Sequence, residues 1–142
     1  MAELSGRIAF ITGAAHGQGR ATALALARAG ASIAAYDVAR PLEYPGYGMG
    51  TSAELDALAA ECEALGAVCL AFAGDVRDDE AVTRAVDATV ERFGRIDILF
   101  NNAGICGYGL AHELTEEAWD AMIDINLKGA WLVARRVIPV MI

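Results

Sequence analysis

The feature that most constrains the fold is an alternation of short apolar runs with longer Ala- and Leu-rich segments that close on glycine. The apolar runs predict four strands, at residues 7–12, 31–37, 67–73 and 96–101, of which the first is expected to be a buried parallel strand. The other segments predict helices over residues 17–29, 53–65 and 78–93, and a fourth from Thr115 towards the end of the chain. Ser52 or Thr51 can cap the second helix. Because parallel strands need crossover helices, the pattern predicts an α/β protein with an open, doubly wound sheet, in one domain over residues 1–142.

The balance of charged and apolar residues excludes several classes of protein. The chain has 142 residues, of which 56% are hydrophobic, and its 11 basic and 19 acidic residues give a formal net charge of −8. A chain this apolar can bury a core, which excludes a disordered protein. The acidic excess argues against nucleic acid and against anionic membranes as partners, because both need Lys and Arg to meet their phosphates.

Three further features bear on the cellular location. The apolar stretch at residues 21–39 is interrupted by Arg28 and by a turn at Gly30, so it does not form the roughly 20-residue helix that spans a bilayer. The N-terminal segment contains Glu3 and no basic region, which is unlike a signal peptide. The three cysteines have neither CxxC nor metal-ligand spacing, so we expect no disulfide framework and no metal site. These features favour a cytoplasmic protein.

The first predicted strand runs directly into a glycine-rich loop, TGAAHGQG, at residues 12–19. We expect Gly13 to allow the tight turn, Gly17 to let a ligand approach the backbone, and Gly19 to let the helix pack closely on the sheet. The free N–H groups and the positive end of the helix dipole would then bind a pyrophosphate. His16 could add a phosphate contact or simply be solvated. The candidate phosphate-binding residues are Gly13, His16, Gly17, Gln18 and Gly19.

An acidic residue, Asp37, ends the second predicted strand, eighteen residues after Gly19. A carboxylate at this place can accept both hydroxyls of an adenosine ribose and repel a 2′-phosphate, which predicts NAD rather than NADP. Arg40 lies nearby in the sequence and could serve a 2′-phosphate, so the choice stays open. The alternative for Asp37 is a solvated turn residue.

Polar residues also follow the third and fourth strands, where open α/β sheets bind ligands. Asp75 could bond the adenine amino group while Val76 shields the ring. The alternative for Asp75 is a turn residue or a helix cap. After the fourth strand comes Asn-Asn-Ala-Gly, residues 101–104. The candidate cofactor-binding residues of this sequence are Asn102, Ala103 and Gly104.

Several of these motifs, taken together, resemble those of the short-chain dehydrogenase/reductase family. They are TGAAHGQG, Asp37, Asp75-Val76, NNAG and Asn126 within INLKG, and they cover essentially the whole chain in the family's order. The resemblance implies a Rossmann-type sheet in a three-layer α/β/α arrangement, NAD as the cofactor, and hydride transfer to or from a small-molecule alcohol or carbonyl substrate. It also implies a homo-oligomer, a tetramer in the family, with the fourth helix in the subunit interface.

A branch of the family is suggested by HGQGR at residues 16–20, by HELTEE at residues 112–117 and by the long segment after Asp37. These features resemble the mycofactocin-associated, carveol dehydrogenase-like branch. That resemblance implies a tightly held nicotinamide and electron transfer to a redox peptide.

The long segment, residues 38–51, is called the insert from here on. It contains Tyr44, Tyr47 and Met49, which could lie across the adenosine end of the cofactor as a cover. The alternative is a flexible surface loop, since Gly and Pro dominate its composition.

The resemblance also implies an acid–base pair, Tyr-x-x-x-Lys, and an upstream Ser. The Tyr acts as general acid or base, and the Lys lowers the pKa of the Tyr. None of the four tyrosines has a Lys four positions on, and the only lysine is Lys128. We therefore expect a C-terminally incomplete, N-terminal portion of a larger enzyme, inactive by itself.

Only Asn126 of the family's catalytic set falls within these residues. The resemblance implies that its backbone carbonyl positions a water linked to the active-site Lys, at a place where the helix is often distorted. The alternative is a helical Asn satisfied by its neighbours. A function of another class also stays open, because the missing pair favours a non-catalytic nucleotide-binding module or a subunit completed by a partner chain.

Overall fold

The structure is a computed structural model and describes residues 2–142. The strands are β1 (Ile8–Thr12), β2 (Ser32–Asp37), β3 (Cys69–Ala73) and β4 (Ile98–Asn101). The helices are α1 (Gly17–Arg28), α2 (Ser52–Ala64), α3 (Asp79–Phe93), α4 (Glu116–Ile123) and α5 (Ala130–Met141), with a π-helical segment, Asp124–Gly129, between the last two. The predicted α/β class is confirmed, and the predicted ends of the strands and the first three helices differ from the observed ones by no more than two residues.

The sheet is parallel throughout and has the strand order β3-β2-β1-β4. The chain moves outward from β1 to β3 and then returns to place β4 on the other side of β1. The direction of winding therefore reverses between β1 and β4. At such a reversal the loops that follow the two strands lead to opposite faces of the sheet, and a crevice opens at the carboxyl ends of the strands.

Alternate residues of β1 face two separate cores. Ala9 and Ile11 lie in a core closed by α1 and α2, whereas Phe10 lies in a core closed by α3, α5 and the π segment. All five residues of β1 are buried, because helices cover both faces of the strand. The sheet therefore lies between two helical layers, which is the expected three-layer α/β/α arrangement.

Side-chain caps set where the helices begin. Thr51 caps α2, since its hydroxyl accepts the N–H of Glu54 while the Glu54 carboxylate accepts the N–H of Thr51. This reciprocal pair decides between Ser52 and Thr51 as the cap. Asp78 caps α3, and Thr115 caps α4 as expected.

The predicted fourth helix begins after Thr115 and runs towards the end of the chain as expected, but it is not uniform. Across Asp124–Gly129 it is π-helical, with i→i+5 hydrogen bonds, so the run comprises α4, the π segment and α5. Within residues 2–142 no helix combines the length and the apolar character needed to span a bilayer. The same residues contain no cluster of three or more metal-ligating side chains.

Candidate functional site

The loop between β1 and α1 brings backbone atoms together where side chains would not fit. Gly13 has φ +66°, a left-handed conformation that glycine adopts without strain. A Cβ on Gly19 would collide with the carbonyl oxygen of Gly13 and lie 2.9 Å from the Asn102 side-chain nitrogen. The close approach at Gly19 is therefore to the turn itself rather than to the strands. Gly17 has φ +57°, and a Cβ there would meet nothing within 4 Å, so its backbone faces open space.

Neutral polar groups join the carboxyl ends of β1 and β4. The hydroxyl oxygen of Thr12, which is fully buried, accepts hydrogen bonds from the backbone N–H groups of Asn102 and Ala103, both at 3.0 Å. The Asn102 side-chain amide donates to the carbonyl oxygens of Thr12 and Gly13, at 3.1 and 3.3 Å. Asn102 thus holds the two loops together. Sequence reasoning does not single out Thr12, whose only signal is its place directly before the glycine turn.

Asp37 lies at the end of β2 and is only 3% exposed, which excludes the solvated-turn alternative. One carboxylate oxygen accepts the N–H of Ala15 at 3.0 Å, and the other accepts the N–H of Ala39 at 2.9 Å. Because a carboxylate offers about four lone-pair sites, each oxygen can accept a further hydrogen bond. The Asp37 carboxylate is thereby held in place by one backbone N–H group of the glycine-rich loop and one of the insert.

Asp75 follows β3 and binds two arginines. Its carboxylate accepts the backbone N–H of Arg77 at 2.9 Å, and it pairs with the guanidinium groups of Arg77 at 2.7 Å and Arg40 at 3.2 Å. Burial by itself raises the pKa of the Asp75 carboxyl, but the hydrogen bonds from Arg77 and the charges of both arginines outweigh it and hold that pKa below its ordinary value. Asp75 thus closes a turn and pairs with Arg40, while its contact with an adenine amino group stays a prediction.

A single cleft at the carboxyl ends of the strands brings most of the candidate residues together. The predicted residues that line it are Gly13, His16, Asp37, Asp75, Val76, Ala103 and Gly104. Five other candidate residues lie outside the lining: Gly17, Gln18, Gly19, Asn102 and Asn126. Val76 is buried and sits over Gly129, where a Cβ would lie 2.6 Å from a Val76 methyl carbon. The β3 turn therefore also packs against the end of the π segment.

The insert closes one side of this cleft. Leu42 and Met49 line the cleft and pack against the second core, whereas residues 40, 41, 43 and 46–48 of the insert are exposed. Gly50 lies beside Asp37, since a Cβ there would be 2.8 Å from a carboxylate oxygen of Asp37 and 3.0 Å from the His16 ring nitrogen Nδ1. Only glycine fits at this position without moving Asp37. The role of the insert as a cover over the adenosine stays a prediction.

Asn126 lies in the π segment and binds the backbone beyond β4. Its side-chain oxygen accepts the N–H of Ile105, and its side-chain amide donates to the carbonyl of Ile105, both at 2.8 Å. The Asn101 amide donates to the carbonyl of Ala130 at 2.7 Å, just after the π segment. The expected distortion of the helix at Asn126 is confirmed, and the side chain of Asn126 positions the Ile105 backbone. The role expected of its own backbone carbonyl stays a prediction.

Comparison with known proteins agrees with this geometry. A family model described as short chain dehydrogenase matches residues 7–142. The chain therefore belongs to the short-chain dehydrogenase family, as its motifs predict.

Among its relatives, (−)-trans-carveol dehydrogenase of Rhodococcus erythropolis is 44% identical over 98% of this chain and 50% of its own length. An uncharacterized NAD-dependent oxidoreductase of Mycobacterium tuberculosis is 45% identical over 98% of this chain and 51% of its own length. The crystal structure of carveol dehydrogenase from Mycobacterium avium in complex with NAD matches with a TM-score of 0.95 and 39% identity, over 99% of this chain and 51% of that one. The chain spans about half the length of the curated relatives it matches.

Proposed function

We propose that this chain is the cofactor-binding half of an NAD-dependent dehydrogenase or reductase, which transfers a hydride between NAD and an alcohol or carbonyl substrate. The observation that carries the proposal is the meeting of the glycine turn, Asp37 and the Ala103-Gly104 backbone around one cleft at the switch point of the sheet. The names of the relatives, carveol dehydrogenase and NAD-dependent oxidoreductase, support the reaction and the cofactor.

The residues present fit a dinucleotide. The N-terminus of α1 offers N–H groups and a positive dipole to a pyrophosphate, and the open backbone at Gly17 leaves room for it. The remaining lone pairs of Asp37 would accept the adenosine ribose hydroxyls, and its charge would repel a 2′-phosphate. Asp75 and Val76 would border the adenine. When bound, the nicotinamide supplies the acceptor or donor of the hydride.

The acid–base residues lie outside residues 1–142 in this proposal, because the sequence contains no Tyr-x-x-x-Lys. Within the chain, Asn126 would offer its backbone carbonyl to the water that connects to the catalytic Lys. The 142-residue chain is therefore expected to bind NAD and to show no turnover. Turnover by a chain verified as 142 residues would contradict this assignment.

The proposal extends to location and partners. Trp119, Leu127 and Trp131 are 58%, 66% and 54% exposed along α4, the π segment and α5, which supports a homo-oligomer built on this face. A cytoplasmic location and a redox peptide as electron acceptor rest on composition and on the resemblance described above.

Calorimetric titration with NAD and NADP tests the cofactor site. Wild type should bind NAD roughly tenfold or more tightly than NADP, since a carboxylate next to a 2′-phosphate costs more than about 1.4 kcal/mol. Gly19→Ala should abolish binding, because its methyl group collides with the Gly13 carbonyl. Gly48→Ala is the control, since a methyl group there meets nothing within 4 Å. Equal affinities for the two variants, or no binding of NAD by wild type, would contradict the proposed site.

A second candidate function is a nucleotide-binding module without chemistry, or a subunit completed by a partner chain. This candidate places no catalysis in residues 1–142, which contain no Tyr-x-x-x-Lys. It predicts NAD binding like the first proposal, but no alcohol oxidation or carbonyl reduction by the whole gene product. An intact mass of the purified protein, about 15 kDa or about twice that, followed by a turnover assay separates the two.

A further inference from the structure

The insert makes two contacts with the segment that follows the NNAG sequence. The hydroxyl oxygen of Tyr47 accepts the backbone N–H of Cys106 at 2.9 Å. The Tyr44 ring ends on Gly107, where a Cβ would lie 2.6 Å from the ring carbon that bears the hydroxyl and closer still to the hydroxyl itself. Two tyrosines of the insert therefore contact two consecutive residues of the segment that follows β4.

These contacts span the cleft. The insert follows β2, the segment with Cys106 follows β4, and β1 with its glycine turn lies between them. The insert thus runs from Asp37 across the carboxyl end of β1 to the opposite wall. A dinucleotide with its adenosine at Asp37 would direct its reactive end towards this opposite wall.

The segment after Gly104 has few other fixed points. Residues 102–110 contain no helix or strand, and Tyr108 and Leu110 are 94% and 59% exposed. On one side Ile105 is held by Asn126, and on the other side Cys106 and Gly107 meet the insert. The segment is therefore clamped between the π segment and the insert.

We propose that Tyr44 and Tyr47 are positioning residues that fix Cys106 and Gly107, so that the insert determines how well the substrate is held at the reactive end of the cleft. The inference rests on the proposed hydride transfer for its substrate, since loops at the carboxyl ends of the strands form the ligand site of such sheets. The contact of the two loops itself is independent of that reaction.

Amide hydrogen exchange of the chain without cofactor tests the clamp. Tyr47→Phe keeps the ring but removes the acceptor, so the Cys106 amide should exchange roughly fivefold to tenfold faster, as loss of one hydrogen bond predicts. Gly107→Ala should displace the Tyr44 ring and so speed amide exchange in the insert. In the Tyr44→Ala background, the added Gly107→Ala change should leave that exchange rate unaltered. Gly109→Ala is the matched control, since its methyl group makes only an ordinary contact with Leu114 at 3.8 Å. Unchanged exchange in Tyr47→Phe, or equal behaviour of the two glycine variants, overturns the clamp.

Steady-state kinetics of the whole gene product test the consequence for the substrate. Tyr47→Phe should raise KM for the alcohol about fivefold while kcat changes less than about twofold, because the reacting groups are unchanged and Cys106 and Gly107 are held less firmly. Gly109→Ala should retain both constants. Faster exchange with an unchanged KM overturns the positioning role, and failure of wild type to bind NAD refutes the proposed function separately from the exchange result.

Discussion

The two ends of the β1–β4 pair join the same strands by different chemistry. At the amino end, the Asp97 carboxylate accepts the N–H of Ile8 at 2.9 Å and binds the guanidinium groups of Arg7 at 2.8 Å and Arg95 at 3.0 Å. At the carboxyl end, the buried hydroxyl of Thr12 accepts two backbone N–H groups instead. One end is closed by charged side chains, and the other by neutral groups.

The difference shows how a parallel sheet keeps one end available for a ligand. At the amino end the single carboxylate of Asp97 binds two guanidinium groups, each more than half exposed. Around Thr12 and Gly13 the joining groups are small, so the N-terminus of α1 keeps its positive potential for an anion. The same pair of strands is therefore a structural joint at one end and a cleft at the other.

The largest expected effect on stability comes from removing the Thr12 hydroxyl, which joins the carboxyl end of β1 to the segment after β4. Thr12→Val leaves two backbone N–H groups without their acceptor, so the free energy of unfolding should fall by about 2–3 kcal/mol. Denaturant unfolding monitored by circular dichroism measures it. Thr89→Val is the control, because Thr89 is equally buried but its hydroxyl donates only to a helical carbonyl, that of Ala85. Equal losses of unfolding free energy in the two variants would show that the two hydrogen bonds accepted by Thr12 contribute no more than the single one made by Thr89.

A smaller and pH-dependent effect is expected at the charged end. Burial raises the pKa of the Asp97 carboxyl, but hydrogen bonds from Arg95, Ile8 and Arg7 lower it more, to about 2. A depressed carboxyl pKa stabilises the fold above the ordinary value of about 3.9, and this contribution is lost as the pH falls from about 4 towards 2.

Asp97→Asn should therefore lower the free energy of unfolding by about 1 kcal/mol at neutral pH, since both arginines are more than half exposed. Its stability should also fall less steeply than that of wild type between about pH 4 and pH 2. The exposed Asp56 gives the control variant, Asp56→Asn. Urea unfolding at a series of pH values measures both; an acid profile identical to wild type would contradict the assigned role of Asp97.

The smallest effect concerns the arginines at the carboxyl end. Asp75 forms an ion pair with Arg40, so Asp75→Asn should free the Arg40 guanidinium to move towards the adenosine end of the cleft. The affinity for NADP relative to NAD should then rise by about threefold to fivefold, the size of one exposed charge interaction. Arg40→Ala in the same background should remove the gain. A gain that survives Arg40→Ala would mean that another group receives the 2′-phosphate.

Local patterns predict the elements well, because each strand is a short apolar run bounded by a turn and because α2, α3 and α4 each begin at a side-chain cap. The candidate site was predictable where one residue ends a strand, as at Asp37. The contacts that shape the cleft were not. Tyr47 meets Cys106 across 59 residues of sequence, and Asn102 turns its amide back to Gly13, 89 residues away. Periodicity and motif spacing report neighbours along the chain, so they do not encode such pairs.

The most direct test of the account is the change in backbone amide chemical shifts when NAD is added to the chain. A cofactor cleft at the carboxyl ends of the strands predicts shifts at residues 13–19, 74–76 and 102–104, and none at Arg7, Ile8 or Asp97. Shifts centred on the Asp97 end, or no shifts with NAD at any concentration, would contradict the assignment of the cleft as the cofactor site.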